Sequence, residues 1–561
     1  MGATAAEGAT EATEVIVVGG GHNGMICAAY LARAGIDTLV IEARDQVGGC
    51  ASTVSDLGAR FNICNCDHTL IRAMPIVDEL ELAANGLRYL EADAGSLNLY
   101  HDGAEPWFFF PEVDRQLDSL AAAFPDQVDG YRRYLDDAMP VAELVLDMAR
   151  ARPGAVPMAA TAVRSTGGTA RRAEGARRLL DWSRRSIDDV LGQYFDDWHL
   201  TMPLVTSGPT VWGAHPALPG TGLAALGYAS RHLVTTGRPE GGSGALTDAT
   251  RASFEAAGGR VRCGARVDRL LLASGRVAGV RLDDGTELQS SMVVAACDPK
   301  RVFVDWIDEP PAAARRLIDR WRSLPTHDGY ESKIDAVIDG VPRYRQHDRL
   351  VDRHPDVELL GPTAFISPSP EDLAEAHARR PDGRVASRPS ILANVPSVLD
   401  PTLVTADGHH VLSVEVLFTP YDHPGGWTDS DEPARWLDVW AGFMEAGVRD
   451  RIVSWRAMTP DRYEREFSMH RGHTPSYAGS PMAALLGRQK ELTRYRTPID
   501  GLYLSGAGTF PGAGIFGAAG RNAAGVVERD LTGPVGRRLR SLRRLSPRRA
   551  ASAVRPARAA G

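Results

Sequence analysis

The stretch 14–50, EVIVVGGGHNGMICAAYLARAGIDTLVIEARDQVGGC, limits the fold of this chain more than any other. Val15–Val18 is a short apolar run of the kind that forms a buried parallel strand. Gly19, Gly21 and Gly24 follow at GxGxxG spacing, with Gly20 and Asn23 in the same turn. A helical pattern then runs through Ala28, Leu31 and Ala32 and stops at Gly35. Thr38–Ile41 reads as a second strand, ending on Glu42. Gly19 permits the tight turn, Gly21 lets backbone approach a pyrophosphate, and Gly24 lets the helix pack closely on the strand. The free N–H groups of the helix start face the phosphates, and Glu42 can accept hydrogen bonds from a ribose. A bare GxGxxG is a weak signal. Here strand, turn, helix, strand and acid occur in order, which predicts a dinucleotide site.

After the acid comes Glu42-Ala43-Arg44 and then Gly48-Gly49. This continuation resembles the amine-oxidase and phytoene-desaturase flavoproteins. The resemblance implies that the acid holds the adenosine ribose of FAD and that the paired glycines pass its pyrophosphate. An acid at this place also repels the 2′-phosphate of NADP. A second strong stretch, YRTPIDGLYLSGAGTFPGAGIFGAAGRNAAGVVERDL, gives a strand at Leu502–Leu504, a glycine-rich turn over 506–517 and a helix from Ala518. It resembles the closing motif of the phytoene-desaturase family. On that resemblance Gly506, Ala507 and Gly508 lie along the diphosphate and ribityl chain, and Ile515 and Phe516 lie by the flavin ring. The block 241–299 resembles the family's second nucleotide segment, which places the backbone of Val267 at the adenine; a plain core valine fits the position equally well. The likeness covers about 14–532. It is greatest to a branch that includes proteins named for a pyridine nucleotide-disulfide oxidoreductase domain. No redox Cys-x-x-Cys pair supports disulfide chemistry. The run 469–476 departs from the branch's usual Gly-Gly-Asn stretch.

The expected class is therefore α/β, with a discontinuous Rossmann-like FAD-binding domain and an inserted α+β substrate domain. The first domain takes 14–75, 235–300 and 498–532; the second takes 76–234 and 301–497. A disordered leader (1–13) and a basic disordered tail (533–561) flank them. Within the insert, 112–150 and 171–191 show helical periodicity, the latter dense in arginine. The segments 333–337, 390–398 and 410–419 look extended, whereas 311–321, 434–446 and 460–467 look helical.

A net charge of −8 over 561 residues excludes a general affinity for nucleic acid. No apolar run reaches the ~20 residues that span a bilayer, and the small, acidic leader is unlike a signal peptide. A cytoplasmic protein fits. The nine arginines after Gly533, with no acid among them, allow peripheral contact with anionic lipid. Arginine also far outnumbers lysine, a skew that suggests a GC-rich bacterial genome. Six cysteines make no disulfide framework, and Cys64 and Cys66 near His68 lack further ligands for zinc, so no metal is expected.

A bound flavin carries the redox step and the protein supplies position and electrostatics, so few catalytic groups are needed. No catalytic residue is identified from the sequence. Lys333, one of three lysines in the chain, could be a buried ammonium near the flavin or an ordinary surface lysine. His68, His470 and His473 could be acid/base groups or structural histidines. The resemblance implies an FAD-dependent desaturase or dehydrogenase of C–C bonds in an apolar, natural-product-type substrate, with oxygen or a quinone as acceptor. An amine or amino-acid oxidase is the alternative enzyme, favoured by aromatic walls and a water held by Lys333. A flavin-binding scaffold is the non-enzymatic alternative.

Overall fold

A computed structural model describes residues 12–64, 66–151, 160, 170–325, 331–473 and 487–533. Five short parallel strands form the central sheet, in the order Arg260–Arg262, Thr38–Ile41, Val15–Val18, Val293–Ala295 and Leu502–Leu504. Four of them are buried on both faces, as their unbroken apolar runs require. One face is covered by the helices His22–Arg33, Gly244–Ala256 and Ala518–Thr532, through Ile26, Ala29, Leu246, Phe254, Ala523 and Val527. The other is covered by the antiparallel strands Val267–Ala273, Arg276–Leu282 and Glu287–Ser290 with Trp321. The two central helices approach closely because Gly520 has no side chain: a Cβ there would lie 2.2 Å from the carbonyl oxygen of Asn23.

The inserted region has a seven-stranded mixed sheet and a helical cap. The sheet runs Ile452–Met458, Glu331–Ile338, His410–Leu417, Ile391–Asn394, Thr363–Ser367, Ser96–Tyr100 and Trp107–Phe109. Strand periodicity divides its side chains between two faces. Ile334, Ala336, Val414, Val416, Ile391 and Ala393 pack on Trp436 and Trp440. The alternate residues turn toward the nucleotide-type domain at one end of the sheet, as Lys333 does, and into the cap's core at the other, as Tyr100, Trp107 and Phe109 do. The cap comprises Val113–Ala123, Val128–Arg150, Ala170–Trp182, Ile187–Leu191, Trp198–Ser207 and Gly227–Leu233, joined by an aromatic core of Tyr131, Tyr134, Trp182 and Tyr228.

Several expected boundaries change. Ala12–Thr13, placed in the leader, pairs in parallel with Gln289 and Ser290. The helix expected over 171–191 is two helices, because Ser186 caps Ile187–Leu191 in a box with Asp189. The extended reading of 390–398 holds only for Ile391–Asn394, since Pro396 opens the helical turn Pro396–Leu399. The helix expected over 434–446 ends at Ala441. Leader residues 1–11 and tail residues 534–561 lie outside the described residues. No helix among the described residues is long and apolar enough to cross a membrane.

Candidate functional site

The first wall of the site is built by the glycine turn. Gly19 has φ +101°, and a Cβ on Gly24 would lie 1.9 Å from the Gly19 carbonyl oxygen, so neither position admits a side chain without moving backbone. No side chain caps the start of His22–Arg33, which leaves the positive end of that helix open to an anion. Glu42, 8% exposed, braces the turn: one carboxylate oxygen accepts the Gly20 N–H at 2.7 Å and the other accepts the Arg44 N–H at 2.9 Å. Each oxygen retains a second lone pair. Gly48 (φ +127°) donates its N–H to the Gly20 carbonyl at 2.8 Å, which holds the paired glycines beside the turn.

From this turn a cavity of about 990 Å³ runs between the domains into the helical cap. Gly19, Gly21, Asn23, Gly24, Glu42, Ala43, Arg44, Gly49, Val267, Gly506, Ala507, Ile515 and Phe516 all line it. Three distant parts of the chain thus meet on one space. Gly20, Gly48 and Gly508 are off the wall; the first two serve as the turn's internal hydrogen-bond frame. The fit to a flavin dinucleotide is good on this geometry: side-chain-free backbone at one end, an uncapped helix start and a buried carboxylate for a ribose.

The candidate catalytic groups fall elsewhere. Lys333 is buried rather than on the surface, at 2% exposure. Its ammonium donates to the Asn62 carbonyl and pairs with Asp335, which Arg456 holds from the other side at 2.9 Å. It does not line the cavity. His68 is fully buried between the Tyr89 and Ser243 hydroxyls, 3.2 Å from each, and burial lowers its pKa to about 3. His473 is buried off the wall, and His470 pairs with Glu464 at 3.2 Å.

Three further titratable groups that reach the cavity, His22, Glu331 and Glu415, were not singled out from the sequence. His22 sits inside the glycine motif; burial lowers its pKa to about 4, and the Gly514 carbonyl accepts a hydrogen bond from its ring. It thereby links the first motif to the last. On the seven-stranded sheet Glu415 lies opposite Lys333, and Glu331 two residues along, so both carboxyls share the cavity face with Thr363, Phe365, Leu392 and Asn394. Burial, then the charge of its neighbour, pushes Glu331 well above the usual carboxylate range; burial also raises Glu415, to which Glu331 is hydrogen-bonded. Both shifts favour one proton shared between the two carboxyls over two buried negative charges. The Cys64 thiol donates to Glu331 at 3.7 Å, and Cys66 to Asn394 at 3.8 Å. One signal was present: Glu415 interrupts an apolar strand, VLSVEVLF, where a charge is costly.

Beyond these groups the wall turns apolar. Val145, Met148, Leu204, Val211, Leu223 and Leu226 from the cap face Phe365, Leu392 and Phe510.

Comparison with known proteins agrees with this geometry. The family described as flavin containing amine oxidoreductase matches residues 24–327. The pyridine nucleotide-disulfide oxidoreductase domain-containing protein 2 of Rattus norvegicus is 30% identical over 92% of this chain and 94% of its own length. The lycopene-forming phytoene desaturase of Pantoea ananas is 26% identical over 92% and 99%. Among solved structures, the cyclohexylamine oxidase of Brevibacterium oxydans superposes with a TM-score of 0.55 at 16% identity, covering 93% of this chain and 99% of that one; it shows the shared fold.

Proposed function

The chain belongs to the flavin containing amine oxidoreductase family and is an FAD-dependent oxidoreductase; from that premise we propose that it dehydrogenates a C–C bond in a predominantly apolar substrate. The observation that carries this reading is the single cavity joining the glycine turns to the apolar walls of the cap. When bound, FAD supplies a two-electron acceptor for hydride. Gly19, Gly21, Gly24, Glu42, Gly49 and Gly506 would hold the dinucleotide, with Ile515 and Phe516 beside its ring. Removal of hydride from one carbon and a proton from its neighbour leaves the double bond. The Glu331–Glu415 pair is the acid/base equipment on the wall: its ionised carboxylate oxygen can take that proton. The cap's aliphatic side chains exclude water from the reacting carbons. The phytoene desaturase relative, named for an apolar polyene, supports the reading.

The amine-oxidase alternative called for a lysine-held water, and the Lys333 ammonium is instead committed to Asp335 and the Asn62 carbonyl. With no second nucleotide motif in the sequence, electrons are expected to leave to oxygen or a quinone. Anaerobic titration of the FAD-loaded protein with cyclic alkenes, polyenes, amines and amino acids tests the proposal. Bleaching of the flavin band by alkenes or polyenes, reversed by oxygen or a soluble quinone, is the expected result. Bleaching by amines alone would overturn it.

A further inference from the structure

Arg231 projects from the last turn of Gly227–Leu233 onto the cavity wall. Its guanidinium carbon stands 5.1 Å from the Phe365 ring centre and 5.8 Å from that of Phe109. Among the described residues it makes no side-chain hydrogen bond and no close ion pair; the charge of Asp67 acts on it only from a distance. The neighbouring carboxylate, Asp67, is already held: Arg238 Nε donates to it at 2.6 Å and the Thr363 hydroxyl at 2.6 Å. Arg238 is itself engaged through all three of its nitrogens, by Asp67, the Gly361 carbonyl and Thr363. Two guanidiniums thus face one carboxylate, and one positive charge is left over, partly exposed, on the cavity wall. Desolvation pulls the Arg231 pKa below the ordinary arginine range, a cost to the fold that its partial exposure limits. The aromatic faces of Phe109 and Phe365 offset part of it and fix the planar group in position. Five N–H donors then remain for a partner brought in from outside.

We propose that Arg231 is the anchor for a carboxylate on the substrate, which is therefore an apolar acid. This rests on the proposed use of the cavity for an apolar substrate and adds the polar end of that molecule. A carboxylate suits the planar fork, accepting two parallel hydrogen bonds. Its alkyl or aryl body would extend along Leu223, Leu226 and Leu204, and the bond to be oxidised would lie toward Glu331, Glu415 and the flavin.

The test is calorimetric titration of the FAD-loaded protein with 4-phenylbutyrate and, separately, its neutral amide, with flavin absorbance recorded in parallel. Wild type is expected to bind the acid at least ten-fold more tightly than the amide. Arg231→Gln should abolish that preference while leaving amide affinity and FAD content unchanged, and Arg231→Lys should restore part of it. Equal affinity for acid and amide in wild type overturns the assignment but leaves the apolar-substrate reading intact. Loss of FAD from both Arg231 variants would also overturn it, because the cation would then serve the cofactor. Failure of both probes to bind would count against the apolar cavity reading itself.

Discussion

Lys333 illustrates how a side chain's chemistry is set by what surrounds it rather than by its rarity. Three lysines against a background of arginine drew attention to it, and it is indeed buried. Yet its charge is consumed in a chain of alternating signs: Lys333, Asp335, Arg456 and Asp56. Removing the ammonium leaves Asp335 with Arg456 as its remaining counter-charge, so Lys333→Met should cost about 2–4 kcal/mol of stability. The measurement is denaturant unfolding alongside the visible spectrum of the FAD-loaded variant. Stability is expected to fall while the flavin band keeps its position and intensity. A shifted flavin band would return Lys333 to the neighbourhood of the ring. Glu331 and Glu415 are the reverse case. Neither was noticed in the sequence, because their pairing depends on the register of two strands about eighty residues apart.

At the scale of elements, short strands were the most legible. Thr38–Ile41 and Leu502–Leu504 are apolar runs bounded by polar and turn residues, and nothing in tertiary structure competes with that pattern. The glycine turns were legible for a related reason, since backbone that tolerates no Cβ announces itself by residue type. Less legible was where long polar helices break, as at Ser186, where a side chain supplies a local cap that periodicity does not encode. The cap's contribution to the cavity was not legible at all, because Leu204, Leu223 and Arg231 acquire a common direction only after helices pack. The contact between His22–Arg33 and Ala518–Thr532 offers a direct test of element packing. Gly520→Ala places a methyl carbon 2.2 Å from a backbone oxygen of the partner helix. Separation of the helices should cost about 1–3 kcal/mol and weaken FAD binding, because both helix starts adjoin the cavity. Thermal unfolding with and without added FAD would register both effects, and an unchanged melting temperature would mean that the helices yield freely.

The whole molecule keeps several ionisable groups buried in their neutral forms, and these act on stability in opposite directions. His68 has an ordinary value of 6.5 lowered to about 3 in the fold. Between those values the unfolded chain binds a proton that the native chain does not, so stability falls with pH from 6.5 downward, by about 2 kcal/mol at pH 5. Glu331 is raised well above 4.5; here the native chain holds the extra proton, and its contribution is lost as pH climbs past 4.5 toward the raised value. Urea unfolding across pH 4.5–8 is expected to show both limbs. His68→Gln should flatten the limb that falls as pH drops below 6.5, and Glu331→Gln the limb that falls as pH rises above 4.5. Identical profiles for all three proteins would mean that these groups titrate alike in both states.

The order of strands in the central sheet has a consequence for how the protein is made. The strand at 293–295 lies between one encoded near the start of the chain and one encoded near residue 503, and the last glycine turn completes the wall begun by the first. While a ribosome is still translating residues 500–520, that edge of the sheet is missing and His22 lacks the Gly514 carbonyl that holds its ring. Cofactor capture is therefore expected late in biogenesis, once the chain has been translated through the closing turn. Nascent or prematurely terminated chains would stay colourless, and the yellow of bound flavin would report that synthesis had run past it.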